Sequence, residues 1–313
     1  MMYVFIVNPI AGNGRAKRII EKLEKTTLFK SILSTVHITK SERHAEQLAT
    51  ELESSNESIT SLIVIGGDGT LHEVINGLSD NTIPISFIPG GSGNDFARGI
   101  GIKGSPKKIL SRVISGKHNL RYWTGTYRAD GQSARHFVNN MGFGFDALVA
   151  EQASRGSIKH ILNRLHMGTL NYIGALIKVL LWFKPFSIEL ELDGKNKTID
   201  DCWMVTIANH PYFGGGMKIV PDARNKAETF DILVLHSISK WKVLSLFMTI
   251  FTGKHVGFRE VSLMEASHLK VHGKETLPFH VDGQPGSCTE TAIMKTKEPV
   301  TILGANFKNN ERK

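Results

Sequence analysis

The chain has 313 residues, of which 41% are hydrophobic, and it carries a formal net charge of +9 at pH 7. This length predicts two domains, and the basic balance predicts an anionic partner, which composition leaves open between a nucleotide, nucleic acid and an acidic membrane surface. Two distant cysteines argue against a disulfide scaffold and a zinc site, and the longest apolar stretches fall short of the roughly 20 residues that a spanning helix needs.

Strands and helices alternate through the first third of the chain. We predict strands at 3–7, 35–38, 62–65 and 83–88, and helices at 15–25, 42–53, 70–78 and 106–115. This alternation is typical of a doubly wound, Rossmann-like α/β domain, in which ligands bind at the carboxyl ends of the strands. The loops that follow the four strands, at 8–14, 39–44, 66–70 and 90–95, should therefore meet at one edge of the sheet.

The third of these loops has the most specific chemistry. Three of the four residues in Gly66–Gly69 are glycine, so backbone amides can surround a phosphate there. Thr70 and Glu73 match a capping box, which predicts that the positive end of a helix faces the same turn. Asp68 is a carboxylate within this phosphate cradle, which is explained if nucleotide-bound Mg²⁺ or a substrate hydroxyl lies between. The plainer alternative is a tight strand-to-helix connection with Asp68 exposed.

From about residue 120 the pattern changes to short strands separated by turns, typical of an antiparallel β-sandwich. These strands are predicted at 123–128, 135–140, 187–192, 202–209, 230–236, 268–272, 279–282 and 291–296. Mainly helical insertions are predicted at 145–183 and 240–252. We therefore expect an α/β nucleotide-binding domain at 1–120 and a β-rich domain at 121–299, with residues 300–313 packing back on the first.

Six motifs spread over nearly the whole chain carry a family resemblance. They are NPIAG at 8–12, GGDGTLHEVINGL at 66–78, PGGSGNDFAR at 89–98, MGFGFDA at 141–147, GGGMKIVPDA at 214–223 and VDG at 281–283. With them the chain resembles the bacterial diacylglycerol kinase-like lipid kinases, relatives of sphingosine kinases whose catalytic domain shares its fold with NAD kinases and phosphofructokinases. GGDGT is common to lipid kinases and NAD kinases, whereas the NP opening, GSGNDFAR and GFGFDA favour lipid kinases.

The resemblance implies ATP in a cleft between the domains, with Asp68 organising magnesium and the reacting phosphate. Ser92 and Thr39 can donate hydroxyl hydrogen bonds to phosphate, whereas Asn94 and Asp95 fit ordinary helix capping as well. Arg15 and Arg98 could neutralise phosphate charge during transfer, or be ordinary surface arginines. The expected nucleotide contacts are Asn8, Pro9, Ile10, Ala11, Gly12, Thr39, Gly66, Gly67, Asp68, Gly69, Thr70, Leu71, Ser92 and Asn94.

Two positions depart from the pattern that the resemblance implies. Gln284 stands where the family has a glutamate proposed as the base for the lipid hydroxyl, and an amide cannot take that proton; Asp68 or Glu290 could substitute. The family also has an Asp-Gly whose aspartate helps to hold a structural magnesium. Here Ala227 and Glu228 occupy that place, and Asp231 is the only later match, so we do not carry that metal site over.

The segment 159–184 has two interpretations. Its apolar residues fit a core helix that covers the sheet, and its interleaved lysine and arginine residues fit an interfacial helix that meets an anionic bilayer.

We expect an ATP- and Mg²⁺-dependent lipid kinase that phosphorylates diacylglycerol or a similar membrane lipid. A catalytically silent nucleotide- or lipid-binding relative, motivated by Gln284, and an NAD kinase-like enzyme with a soluble acceptor remain alternatives. The expected partner is a membrane lipid at an anionic bilayer surface, with no nucleic acid and with a homodimer left open. Because the apolar N-terminal run is short and lacks a basic lead, no export is expected and the expected location is the cytoplasm. The lipid kinase resemblance further implies a position peripheral to the inner face of the cell membrane.

Overall fold

A computed structural model describes residues 2–55, 57–155 and 168–305. The chain divides into two compact units: Met1–Tyr122 together with Glu298–Lys313, and Trp123–Lys297. The fold class expected from the sequence is confirmed, because the first unit is α/β with a mainly parallel sheet and the second is antiparallel and β-rich. Within the part of the chain that the structure describes, no helix is both long and apolar enough to cross a membrane.

The first unit is built on a six-stranded sheet with the order β2-β1-β3-β4-β17-β5. Its strands β1 to β4 and β17 run parallel, and β5 pairs antiparallel with β17. The central strands are apolar on both faces because helices cover both sides. The strands are β1 (Met2–Val7), β2 (Ser34–Ile38), β3 (Ile59–Gly66), β4 (Ile85–Pro89), β5 (Asn119–Tyr122) and β17 (Val300–Leu303).

The helices of the first unit are α1 (Ala11–Glu24), α2 (Thr27–Lys30), α3 (His44–Ser54), α4 (Asp68–Asn76), α5 (Asp95–Gly99) and α6 (Pro106–Ser115). Residues 12–14 of α1 have left-handed backbone angles, so its regular part begins at Arg15, as the periodicity predicts. Strand β17 comes from the far end of the chain and lies between β4 and β5. That insertion depends on a pairing between residues about 180 positions apart, which no local pattern encodes.

The second unit has a sheet of nine strands in which β10 and β15 are long and change partners along their length. The first half of each pairs with β9, and the second half of each pairs with β8. The strands of this sheet are β6 (Gly125–Ala129), β7 (Arg135–Phe137), β8 (Asn140–Gly144), β9 (Phe186–Leu192), β10 (Lys195–Ala208), β13 (Phe230–His236), β14 (Val261–Ala266), β15 (His268–Val281) and β16 (Gln284–Lys295).

Several strand predictions in this unit were wrong. Strand β14 was not predicted, and β16 begins seven residues before its prediction. The strands predicted at 268–272 and 279–282 are one strand, β15, with a register irregularity between His272 and Leu277. The strand predicted at 135–140 is two, β7 and β8, because the amides of the residues between them bind a side chain instead of a neighbouring strand. Strand β10 begins seven residues before its prediction and shifts register between Ile199 and Cys202.

Two apolar cores occupy the second unit. One fills the sheet interior, where Phe137, Phe143, Val205 and Phe230 are fully buried. The other lies between the sheet and helices α7 (Phe145–Arg155), α8 (Gly168–Trp182) and α9 (Lys240–Ile250). A small two-stranded sheet, β11 (Tyr212–Phe213) with β12 (Met217–Lys218), completes the unit. Of the segment 159–184, residues 159–167 lie outside the described part of the chain.

Candidate active site

Three loops at the carboxyl edge of the first sheet are joined by hydrogen bonds. Asn8, after β1, donates from Nδ2 to Thr70 Oγ1 at 3.1 Å. The amides of Gly90 and Gly91, after β4, donate to the carbonyl oxygen of Gly66 at 2.7 and 2.9 Å. The parallel strands thus bring the NPIAG, GGDGT and PGGSG motifs into one continuous surface.

The other predicted contact residues lie at the same edge with different exposure. The Thr39 amide, after β2, donates to Val7 O at 2.9 Å, and the Thr39 side chain is buried. Ser92 is exposed, and Ile10 projects its side chain into solvent with 81% of its surface exposed. Pro9, Ala11 and Gly12 lie between β1 and the regular part of α1, and Leu71 is buried in α4.

Gly12 and Gly91 let these loops touch. Gly12 has a φ of +57°, and a Cβ built on it would lie 2.2 Å from the carbonyl oxygen of Gly90. A Cβ on Gly91 would lie 2.5 Å from Gly67 Cα. Glycine is therefore required at both positions for steric reasons. A Cβ on Gly69, in contrast, meets nothing within 4 Å, so Gly69 leaves open space beside the first turn of α4.

The predicted capping box is wrong. Helix α4 begins at Asp68 with Gly67 as its N-cap, one turn earlier than the box requires. Thr70 Oγ1 instead accepts the hydrogen bond from Asn8, and Glu73 Oε2 accepts one from the Ala45 amide at 3.2 Å. Burial is the main reason that the pKa of Glu73 lies above its ordinary value. Both side chains therefore connect α4 to other elements.

The carboxylate of Asp68 is bound by the first turn of α5. Its Oδ2 accepts a hydrogen bond from the Asp95 amide at 3.0 Å, and its Oδ1 accepts one from the Phe96 amide at 2.9 Å. Asp68 thus takes the role that the sequence suggested for Asn94, a capping interaction with α5. Asn94 has no capping hydrogen bond; its side chain binds the amide and the carbonyl of Gly91 across the turn.

The two candidate arginines support the glycine turn. Arg15 Nη1 donates to Gly91 O at 3.2 Å. Arg98 forms an ion pair with Asp95, and its Nη2 donates to Gly93 O at 3.3 Å. Arg15 also lines a cavity of about 450 Å³ whose charged lining residues, Arg15, Arg18, Lys22 and Lys107, are all cations. This end of the unit is therefore favourable for an anion.

In the second unit, Asp282 organises the VDG motif. Its carboxylate accepts hydrogen bonds from the amides of Val138, Asn139 and Asn140 at 2.8, 2.7 and 3.2 Å. Asp282 itself has a φ of +51°. Gln284 follows this turn as the first residue of β16, and its side chain is exposed. Glu290 lies six residues further along β16, about 20 Å away at the rise of a strand, which is beyond contact distance of Gln284.

The GFGFDA motif contributes a buried acid, Asp146, which contacts a buried histidine of β15, His280; the sequence singled out neither residue. Asp146 Oδ2 lies 3.3 Å from His280 Nε2 and accepts a hydrogen bond from Thr206 Oγ1 at 3.1 Å. The His280 ring stacks on Phe213, with centroids 4.5 Å apart. A Cβ on Gly142 would lie 2.1 Å from Asp146 Oδ2, so glycine in this motif makes room for the pair. The motif itself includes Asp146, but its partner, His280, lies 134 residues further along the chain, so the sequence could not show the pair.

Comparison with known proteins identifies this architecture. Residues 2–120 match the family model of the diacylglycerol kinase catalytic domain, and residues 139–301 match that of the YegS C-terminal NAD kinase beta sandwich-like domain. A Bacillus subtilis (strain 168) protein named "Putative lipid kinase YtlR" is 31% identical over 96% of this chain and 98% of its own length. The chain belongs to the bacterial diacylglycerol kinase-like lipid kinase family.

Other members of this family agree in sequence and in fold. A protein of Mycobacterium tuberculosis (strain ATCC 25618 / H37Rv) named diacylglycerol kinase is 29% identical over 85% of this chain and 83% of its own. A crystal structure from Bacillus anthracis str. Sterne, described as a putative diacylglycerol kinase, superimposes with a TM-score of 0.72 at 22% identity and covers 96% of both chains. At that identity the structural likeness shows the fold.

The residues present fit a family member that receives magnesium together with a nucleotide. Among the described residues, no three or more His, Cys, Asp and Glu side chains form a group that could hold a metal ion. Each oxygen of Asp68 accepts an amide hydrogen bond, and a carboxylate can bind a cation as well as accept hydrogen bonds. One carboxylate plus substrate phosphates is the usual arrangement for Mg²⁺.

The structural magnesium that the family resemblance implies does not fit this chain. Lys226 Nζ lies 2.9 Å from Asp231 Oδ1 and 2.7 Å from Glu265 Oε1, and the Arg224 amide donates to Asp231 Oδ2 at 3.1 Å. Burial disfavours the charged ammonium, but the hydrogen bonds with Glu265 and Asp231 outweigh it and raise the pKa of Lys226. An ammonium group therefore occupies the place next to Asp231.

Proposed function

We propose that this protein is an ATP-dependent lipid kinase that transfers the γ-phosphoryl group to the hydroxyl of diacylglycerol or a similar membrane lipid. The observation that carries the proposal is the orientation of Asp68 by two α5 amides, next to a glycine cradle that three motif loops build together. We further propose that it acts from the cytoplasm at the inner face of the cell membrane.

In the first unit, the chain's own groups would bind and orient the nucleotide. The open space at Gly69 lets the phosphates approach the backbone, and the N-terminus of α4 favours their negative charge. Thr70 Oγ1 is held by Asn8, and Ser92 offers an exposed hydroxyl. Asp68 would hold Mg²⁺, which when bound neutralises the charge that develops on the transferred phosphoryl group.

The proposed transfer step uses Asp68, rather than residue 284, as the acceptor of the lipid hydroxyl proton. The lipid oxygen forms a bond to the γ-phosphorus, the bond from that phosphorus to the bridging oxygen breaks, and ADP leaves with the bonding electrons. The hydroxyl proton goes to Asp68, one of the two candidates that the sequence offered. Because phosphoryl transfer depends mainly on positioning and electrostatic stabilisation, Gln284 would lower the rate without abolishing it.

The second unit is the proposed lipid-binding part. A narrow, mainly apolar cavity of about 40 Å³ lies between the sheet and helices α7, α8 and α9. Its lining is aliphatic and aromatic except for Asp146, the buried partner of His280. Such a lining suits an alkyl chain, although separation of the helices would be needed to admit one.

A catalytically silent relative that binds nucleotide or lipid is the second candidate. The observation that favours it is the neutral, exposed Gln284 directly after the VDG turn. Nucleotide binding would then persist without transfer.

Labelled ATP, Mg²⁺ and vesicles that contain diacylglycerol or other hydroxylated lipids test both candidates. Asp68→Asn should lower transfer on the order of 10²-fold or more, since it removes a charge that stabilises the transition state. Asp201→Asn, which changes an exposed aspartate of the second unit outside the six motifs, is the matched control and should leave transfer unchanged. Transfer by Gln284→Glu alone would establish the silent relative, and transfer to NAD alone would overturn the lipid kinase.

A further inference from the structure

In the described side chains of α8, residues 174–182, and of α9, apolar residues lie on both faces of each helix, but the second unit covers only one of these faces. Leu176, Val179 and Leu180 of α8 are buried, and so are Val243, Leu246, Phe247 and Ile250 of α9. A helix that is apolar all round is normally buried on every side, so the uncovered faces need an apolar partner.

Among the described residues on or directly after these helices, six large apolar side chains are exposed. Trp241, Met248 and Leu181 have 80%, 74% and 73% of their surface exposed. Trp182, Ile177 and Phe251 are exposed as well. We call these six residues the apolar ridge.

A hydrogen bond makes the apolar ridge one surface. Lys240 Nζ, at the start of α9, donates to the carbonyl oxygen of Leu181, near the end of α8, at 2.8 Å. Trp182 directly follows Leu181, and Trp241 directly follows Lys240. Both tryptophans therefore lie where α8 and α9 meet. Tryptophan has an apolar ring with a polar N–H, which suits the boundary between lipid headgroups and acyl chains.

The exposed charge within the two segments that carry the apolar ridge is positive; the acid that pairs with Lys242 of α9, Glu260, is buried. Residues 168–184 and 240–257 contain no Asp or Glu. Lys178, Lys184 and Lys254 are exposed in the same segments. This combination of an apolar face with a lysine rim is the pattern of surfaces that bind anionic membranes.

The positive charge of these segments also argues against a second copy of the chain as the partner that covers the apolar ridge. A two-fold contact would place identical surfaces face to face, and these segments would then bring lysine against lysine with no acidic residue to pair with them. An anionic bilayer satisfies both the apolar ridge and the lysines.

We propose that the apolar ridge of α8 and α9 is the surface by which this protein docks on an anionic lipid bilayer. The inference rests on the proposed function for its purpose, since a lipid kinase must reach its substrate at a membrane. Docking itself is measured without ATP, so the two proposals can fail separately.

Vesicles of phosphatidylcholine, with and without phosphatidylglycerol, provide the binding test. The double variant Trp182→Gln and Trp241→Gln should weaken binding about ten-fold or more, because two rings no longer enter the interface. Met294→Gln, which removes a half-exposed apolar residue of β16, should leave binding unchanged. Thermal unfolding of each variant checks that folding is retained.

Two triple variants test whether vesicle binding depends on lysines at the apolar ridge or only on the total positive charge of the protein. Lys178→Gln, Lys184→Gln and Lys254→Gln together should weaken binding to anionic vesicles, by about five-fold for each lysine. Lys195→Gln, Lys274→Gln and Lys297→Gln remove the same number of exposed positive charges elsewhere and should have a much smaller effect. Equal losses from the two sets would overturn the assignment of the surface.

An activity comparison distinguishes docking from catalysis. The tryptophan double variant should phosphorylate a short-chain, water-dispersed diacylglycerol at the unmodified rate but lose turnover on vesicles. Vesicle binding without transfer to any lipid would defeat the proposed function and leave docking standing. Unchanged vesicle binding by the double variant, or its conversion of a dimer to a monomer with vesicle binding intact, would overturn docking.

Discussion

Asn8 Nδ2 donates a hydrogen bond to Thr70 Oγ1 at 3.1 Å and so links the NPIAG loop to the first turn of α4. Thr70 is buried, and its hydroxyl is orientated by a partner from the loop that follows a different strand, β1. The bond explains why a motif at the start of the chain accompanies a motif 62 residues later.

We expect Thr70→Val to raise the KM for ATP about five-fold or more, because the unpaired Asn8 amide and the lost hydroxyl cost roughly 1 kcal/mol or more. Thr70→Ser keeps the hydroxyl and is the matched control. Steady-state kinetics of Asn8→Ala, Thr70→Val and the double variant give the interaction free energy between these two side chains in ATP binding. Strictly additive effects would show that the bond does not contribute to nucleotide binding.

Two glycines of the cradle should respond to alanine in opposite ways. Gly12→Ala places a Cβ against Gly90 O at a positive φ and should lower the free energy of unfolding by about 1–3 kcal/mol. Gly69→Ala meets no atom and lies in the first turn of α4, so it should raise that free energy by roughly 0.5–1 kcal/mol. Gly69→Ala should nevertheless weaken ATP binding, because its methyl group enters the cradle. Urea unfolding and ATP titration measure the two effects, and normal ATP binding by Gly69→Ala would contradict the cradle.

Lys226 should make the stability of this protein independent of a structural magnesium. We expect chelation of divalent cations to leave the unfolding temperature unchanged when no nucleotide is present. Lys226→Met should lower the free energy of unfolding by about 1–2 kcal/mol, since Asp231 and Glu265 lose their shared cation. Lys270→Met removes an exposed pair with Glu191 and should cost about 0.5 kcal/mol or less. A saturable stabilisation of the native chain by Mg²⁺ would contradict this prediction.

Lys295 should give the protein a rise in stability above pH 7. Burial, opposed by Asp231, lowers the pKa of Lys295 from 10.5 to about 7, and its ammonium lies 4.4 Å from the centre of the Phe230 ring. Above pH 7 the folded state loses this proton while the unfolded state keeps it up to about pH 10. The unfolded state then binds more protons, so the free energy of unfolding rises with pH.

Urea unfolding at pH 7.0 and 8.5 measures this effect, as the difference between the native chain and Lys295→Met. The native chain should gain roughly 1–2 kcal/mol over that interval relative to the variant. Above about pH 9 the buried thiols oppose the trend, because burial raises the pKa of Cys202 to about 12 and that of Cys288 to about 11. Equal pH dependence in the two proteins would show that Lys295 is charged in the fold.

Hydrophobic periodicity and glycine placement determined much of the first unit from sequence. The run from Leu62 to Ile65 is a strand covered on both faces, and helix α6 has the predicted bounds, Pro106–Ser115. These features are local, because burial on both faces of a strand and a serine N-cap are expressed in consecutive residues. The position of the site at the strand ends follows from the same pattern, since parallel strands deliver their loops to one edge.

Only the tertiary structure decided what the side chains of these motifs bind. Asp68 holds the amides of α5, Asp146 meets His280, and Lys226 lies between Asp231 and Glu265. The first two of these contacts join residues 27 and 134 positions apart, and the third depends on how β13 and β14 pair. The exposure of Trp182 and Trp241 was equally hidden, because composition shows that a helix is apolar but not which of its faces the rest of the chain covers.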